Sequence, residues 1–145
     1  MARGDVVFFQ EALARALENW AAANTLKLAI LDDTSSPTAS DSDPDLSDYT
    51  EVGASGTYTA GGTSLGTWGD FVSQAGAVTT FDSTTNPTWA QDASNDNDAY
   101  WGLVYNDDDG DRALCYVDLG GPVDMSAGDL TVTWNASGIV TITIT

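Results

Sequence analysis

Two hydrophobic periods divide this chain. Between residues 5 and 22, Val6, Phe9, Leu13, Ala16, Leu17 and Trp20 recur at three- and four-residue spacing, as one apolar helix face requires. Asp5 stands where an N-cap belongs, Glu11 and Arg15 are spaced for an i,i+4 ion pair, and Asn24 ends the stretch. This pattern predicts a single N-terminal α-helix over about 5–22. From Leu26 onward the period becomes two. Leu26, Leu28 and Ile30 share one strand face, residues 78–81 form another short strand, and residues 100–105 and 113–119 flank an Asp-rich turn as a hairpin. Near the end Leu130, Val132 and Trp134 alternate with Thr131 and Thr133. After a turn at 135–138, Val140, Ile142 and Ile144 alternate with threonines, which predicts a half-buried antiparallel pair.

The segments between are punctuated differently. Residues 32–48 are polar, with Pro37, Pro44 and clustered Ser and Asp, and read as a long surface loop of the functional or mobile kind. In residues 49–65 glycines and small residues separate Val52, Tyr58 and Leu65, a pattern of short strands and tight turns. Trp68, Phe71 and Val72 are core or interface residues, and Asn86-Pro87 marks a turn before Trp89. The fold class expected is mainly β: an antiparallel β-sandwich of short strands with one N-terminal α-helix. It occupies 1–145 as one domain, with the helix about 5–22 and the sandwich about 26–145.

Charge changes the picture of where such a domain works. Acidic residues outnumber basic ones 22 to 4 and the formal charge is -18. Nineteen of the acids are Asp, and Lys27 is the single lysine. In dilute buffer this charge repels itself and opposes compaction. In molar salt the Debye length falls to roughly 3 Å and the repulsion is screened, so the composition predicts a protein adapted to brine, an acidic protein of an ordinary compartment being the alternative. Nucleic acid is not an expected partner, because a basic patch is its footprint. No apolar run reaches the roughly 18 residues of a membrane span, so no membrane partner is expected, and the first twenty residues do not read as a secretory signal.

Candidate chemistry is sparse. The chain has no histidine, which removes His-dependent nucleophile systems and most zinc sites from consideration. Cys115 falls in a strand with Ala113, Val117 and Leu119 and reads as a small core residue on their face. No glycine-rich phosphate-binding motif occurs, and no cofactor is expected. The sharpest local feature is the run Asn106, Asp107, Asp108, Asp109, Gly110, Asp111. Alternating aspartates near a glycine are calcium-ligand chemistry, which makes Asp107, Asp109 and Asp111 the metal candidates. In the register of a helix-loop-helix calcium loop, however, the first and last ligand positions fall on Tyr105 and Tyr116, which cannot ligate, so a solvated hairpin tip is the primary reading. Asp92, Asp96 and Asp98, and the alternation Asp41, Asp43, Asp45, are read in the same way. Asn135-Ala136-Ser137 fits a glycosylation sequon and equally a turn asparagine. No catalytic residues are expected, and the chain is not read as an enzyme.

A run of larger features adds a resemblance. The strand at 26–31, a proline-containing loop, the segment Tyr49 to Leu65 with its Glu51-Val52 and Tyr58-Thr59-Ala60-Gly61-Gly62, Trp89, the hairpin at 101–120 and the pair at 130–144 follow one another in a set order. With the short helix expected at Glu11 to Leu17 before them, they resemble small structural proteins of tailed-virus morphogenesis modules, of the head decoration or cement kind. The resemblance implies a non-enzymatic virion component, most simply a decoration protein on the outside of the head shell, with a neck, turret or tail component as its alternative. It implies as partners the major capsid protein or other virion proteins and further copies of this chain, a trimer being favoured, with assembly in the host cytoplasm. The extra aspartate and near absence of lysine point toward a tailed virus of a salt-loving archaeon. A carbohydrate- or receptor-binding β-sandwich module is the rival of another class.

Overall fold

The computed structural model describes residues 3–10 and 20–143, with side chains described as far as Ile139. Its largest unit is a five-stranded antiparallel sheet in the order β1-β8-β7-β2-β3. These strands are β1 (Val6–Phe8), β2 (Thr25–Leu31), β3 (Thr63–Thr67), β7 (Ala99–Asn106) and β8 (Arg112–Val123). A three-stranded sheet, β10-β5-β4, unites Val140–Thr143, Val78–Phe81 and Val72–Ala75, and β6 (Thr88–Trp89) pairs with β9 (Leu130–Thr131). One short helix, α1 (Trp68–Phe71), and a 3-10 turn at Leu46–Asp48 complete the elements among the described residues. The protein is mainly β.

Pairing register fixes which residues share a face. Leu26, Leu28 and Ile30 lie beside Asn106, Val104 and Gly102, which lead across to Cys115 and Val117 on β8 and to Phe8 and Val6 on β1. Leu26, Leu28, Ile30, Ala29 and Leu31 are all fully buried. So β2 is covered on both faces, as a central strand should be, and not on the one face that its alternation suggested. A Cβ on Gly102 would stand 2.9 Å from Val117 Cγ1 and 3.1 Å from Leu28 Cδ1, so that position has no room for a larger residue.

Rings join the large sheet to its covers. Phe8 meets Phe81 edge-on with centroids 6.5 Å apart, Phe81 lies 5.5 Å from Trp68, and Trp68 meets Trp20 at 5.0 Å and 88°. From the other face Phe9 contacts Tyr116 at 5.3 Å and Tyr49 at 6.5 Å, which holds the loop after β2 against the sheet. Edge-to-face pairs of this kind add about 0.5–1.5 kcal/mol beyond their area.

Three expectations are corrected. The helix over 5–22 does not begin as one: Val6–Phe8 is strand β1, and Asp5 uses its carbonyl to accept from Asp118 N–H rather than capping a helix. Two valines and two phenylalanines in a row are strong strand formers, and the open edge of β8 satisfies their backbone, so pairing overrides the 3.6 period. Residues 11–19, including Leu13, Ala16, Leu17 and the Glu11–Arg15 spacing, lie outside the described residues. Second, the alternating segments at 130–134 and 140–143 do not pair with each other, while Ile144 lies outside the described residues. β9 pairs with β6 and β10 with β5, because the turn between them sends Ile139 N–H to Phe81 O at 2.8 Å, while Val132 N–H takes Pro87 O. Third, Ala113 and Cys115 do not share a face. A register shift between Val104 and Tyr105 sets Tyr105 opposite Ala113 and Val104 opposite Cys115, as a β-bulge does.

Candidate functional site

The Asp-rich turn between β7 and β8 is the first place to look for chemistry. Gly110 and Asp111 take left-handed φ values of 60° and 57°, which reverse the chain. Asn106, at the end of β7, is fully buried. Its Oδ1 accepts from Asp108 N–H at 3.0 Å and its Nδ2 donates to Asn24 Oδ1 at 3.3 Å. The carboxylates then face outward to the segment that leads into β2. Asp108 Oδ2 accepts from Thr25 N–H at 2.7 Å, Asp107 Oδ1 pairs with Lys27 Nζ at 2.8 Å, and Asp109 Oδ2 accepts from Trp20 Nε1 at 2.8 Å. On the other side Arg112 pairs with Asp43, Leu46 N–H donates to Asp111 O, and Ala113 N–H donates to Pro44 O.

The tip therefore clamps the start of β2 and the 32–48 loop, where the sequence suggested a solvated turn. Asp107, Asp109 and Asp111 take different partners in this clamp: one meets an ammonium, one an indole, and the third is half-buried among the charges of Asp107, Lys27, Asp45 and Glu51. Burial, then Asp107, push the Asp111 carboxyl above its ordinary range, while Lys27 acts in the opposite sense. Among the described residues no three carboxylates or thiolates stand together as a set of metal ligands.

The remaining acidic alternations are also divided. Asp41 accepts from the Thr38 hydroxyl, from Thr38 N–H at 2.9 Å and from the Tyr49 hydroxyl at 2.8 Å; burial would raise it, but these donors together outweigh burial and leave it lowered. Asp43 faces Arg112, and Asp45 caps the 3-10 turn by accepting from Ser47 N–H at 2.8 Å. Asp92 accepts from Ser94 N–H in a turn of its own. Asp96 and Asp98 stay close together. Gly53 N–H at 2.8 Å and Asn97 N–H at 2.9 Å hold Asp96 below its ordinary range. Asp98 is raised by burial, then by a side-chain hydrogen bond with Asp96 and by the charges of Asp96, Asp32 and Asp33, while its Oδ1 is buried without a hydrogen-bond partner.

The other singled-out groups are structural. Cys115 is 1% exposed in the middle of β8, and burial pushes its thiol above the ordinary range. Asn135 Oδ1 accepts from Ser137 N–H at 2.9 Å, which is the turn reading of that triplet. The segment of the resemblance is a packing device. Tyr58 donates to Glu51 Oε2 at 2.5 Å and accepts from Ile30 N–H at 3.0 Å, Gly61 N–H takes the same Glu51 oxygen, and Tyr105 donates to Gly61 O at 2.7 Å. Gly62 has φ +68° and lies against the Leu28 carbonyl, so both its sign of φ and its surroundings demand glycine.

Sequence reasoning missed one open concavity. An open groove of about 710 Å³ lies beside β1, between Val6, Val117 and Leu119 on one wall and Leu130, Val132 and Trp134 on the other. Arg3, Asp5 and Asp118 are at its polar rim. The alternation at 130–134 was a signal for a covered face, but nothing in it says that the facing wall is the first strand of the chain. Comparison of the chain with protein-family models, with curated proteins and with solved structures gives no match.

Proposed function

We propose that this chain is a non-enzymatic virion structural protein of a tailed virus, a decoration or cement protein on the outside of the head shell. In this reading the domain is a β-sandwich, with the five-stranded sheet as one layer and β4, β5, β10, β6 and β9 as the other. It works by contact: strand edges and half-buried aromatics such as Trp68 and Trp101 meet shell subunits, and copies of the chain associate with one another as a trimer. What supports the reading is the nature of the residues that carry the resemblance. Glu51, Tyr58, Gly61 and Gly62 are engaged with Ile30, Leu28 and Tyr105 in building the fold, the kind of residue a structural family would share. The acidic surface fits a host cytoplasm and a medium rich in salt.

Counting copies in purified particles tests it. Quantitative mass spectrometry should find the chain in a fixed high ratio to the major shell subunit. A low ratio, matching one ring per particle, would move it to the neck or tail. Absence from particles, with clear glycan-array binding, would replace the virion reading by the carbohydrate-binding one.

A further inference from the structure

Two hairpins of this fold differ in the charge they carry. The β7–β8 tip holds Asp107, Asp108, Asp109 and Asp111, whereas the β4–β5 hairpin has no charged side chain from Phe71 to Phe81. The nearest carboxylates in sequence, Asp70 and Asp82, stand at its base. The base is also where the hairpin is anchored: Phe71 and Phe81 are buried, and Phe81 packs on Phe8 and Trp68. Beyond the base Ser73, Gln74, Ala75, Gly76 and Ala77 are all exposed. β4 ends the three-stranded sheet. Ala75 and Val78 close the turn at Gly76-Ala77, and Asp82 N–H donates to Phe71 O. By the alternation of an antiparallel ladder, Ser73 and Ala75 then turn their backbone groups toward β5, and Gln74 turns its N–H and C=O outward. Among the described residues no other backbone group meets them. An exposed edge of this kind is a template for another strand, and folded proteins commonly blunt it with charge. This edge lacks that charge although the chain has 22 acidic residues.

We propose that the outer half of the β4–β5 hairpin is a contact between copies of this chain, made through the outward backbone groups of β4. The charge pattern selects the occupant. A basic partner gains by meeting carboxylates, and the outer half of this hairpin offers none. A second copy brings another -18 and is repelled wherever carboxylates face each other. A charge-free projection is therefore where two copies approach against the least repulsion. Strand addition then supplies main-chain hydrogen bonds, and the small side chains of Ser73, Ala75 and Ala77 let the two backbones come close. The proposal rests on the virion reading only for the expectation that copies associate, and it names the surface by which they do.

Light scattering of the purified chain over a concentration series in molar sodium chloride tests it. The mass should rise above the 15.2 kDa of one copy. It should rise less at the lowest salt at which the chain still melts cooperatively, because repulsion between copies then reaches further. Hydrogen exchange at the Gln74 amide should slow as the mass rises, with the Ser73 amide unchanged because β5 already holds it. Gln74→Glu adds one carboxylate with almost no change of shape and should weaken association about fivefold or more. Ala77→Asp, in the turn, should act in the same direction. Ala93→Asp adds the same charge at an exposed position outside the hairpin and should weaken association far less. Thermal melts in molar salt establish that each variant is folded. A chain that stays at 15.2 kDa throughout, or association that substitutions inside and outside the hairpin weaken equally, would overturn the proposal. Association that leaves exchange at Gln74 unchanged would put the contact elsewhere and overturn it as well. The particle count decides the virion reading separately, since none of these measurements uses particles.

Discussion

Two clusters of aspartate lie in this molecule with similar composition and opposite electrostatics. At the β7–β8 tip Asp107, Asp108 and Asp109 meet Lys27 Nζ, Thr25 N–H and Trp20 Nε1. Near Gly53, Asp98 meets Asp96, Asp32 and Asp33, and a buried oxygen of Asp98 has no donor. The first cluster stabilises the fold because each carboxylate has a donor supplied by a segment distant in sequence. The second opposes it, because burial and like charge both disfavour ionisation. A run of aspartates is therefore neither a metal site nor a repulsive patch until the fold supplies its neighbours.

The largest test of this contrast is salt. Moving from molar sodium chloride to about 0.1 M lengthens the Debye length from roughly 3 to roughly 10 Å, and stability should fall by more than any single substitution below. Hydrogen exchange should show the amides of Gly53 and Asn97, donors to Asp96, losing protection before those of Thr25 and Asp107. Acidification to about pH 4 should restore part of the loss, and calcium and magnesium should restore it equally at equal ionic strength. A melting temperature indifferent to salt would defeat the brine argument, and rescue by micromolar calcium alone would turn Asp107, Asp109 and Asp111 into ligands.

Trp20→Ala comes next. It removes a buried ring, its edge contact with Trp68 and the donor to Asp109, and should cost about 3–5 kcal/mol by denaturant unfolding. Trp20→Phe keeps most of the ring and should cost about 1 kcal/mol for the lost hydrogen bond. If both variants melt like the parent chain, the tip does not clamp the start of β2. Asn106→Ala strips the fully buried amide at the base of the tip and leaves Asp108 N–H and Asn24 Oδ1 without that partner. A loss of about 2 kcal/mol is expected.

Asp98→Asn should act in the reverse direction. The folded-state pKa of Asp98 lies above its unfolded value, so its ionisation weakens the fold. That penalty is absent below the ordinary carboxylate range and complete above the raised value. Asp96 is lowered, so its contribution is present above the ordinary range and is lost as pH falls. The substitution should therefore stabilise by roughly 0.5–1 kcal/mol at neutral pH and by almost nothing near pH 4. Thermal melts at the two pH values decide it; destabilisation at neutral pH would show that Asp98 Oδ1 has a donor. The smallest effect belongs to Lys27→Met. Its pair with Asp107 has side chains 30% and 36% exposed, and exposed pairs contribute below about 1 kcal/mol. A larger loss would mean that the tip shields its charges from solvent.

Much of the strand content was legible in the sequence. Alternation located β2, β5, β7 and β8 to within a few residues, because a half-buried or buried strand imposes its period on its own side chains. The β7–β8 hairpin was also legible, since its partners are adjacent in sequence. The metal candidates were visible as a composition, but their separation into individual contacts was not. Trp20, Lys27 and Thr25 lie about eighty positions before the aspartates they meet, and no local signal joins them. The groove was illegible for the same reason, its walls coming from the two ends of the chain.

By itself the sequence determined that this protein is mainly β, strongly acidic, without histidine and with one cysteine in a strand. Those properties are sums or short-range periods, and no tertiary contact alters them. Only the tertiary structure decided that Val6–Phe8 is a strand, that β9 and β10 pair apart, and which aspartates have donors. The physical reason is that a strand's hydrogen bonds and a carboxylate's neighbours come from elsewhere in the chain. A free edge on β8 outweighed the helical period of the first residues, because backbone groups are satisfied by whichever partner the fold brings within reach.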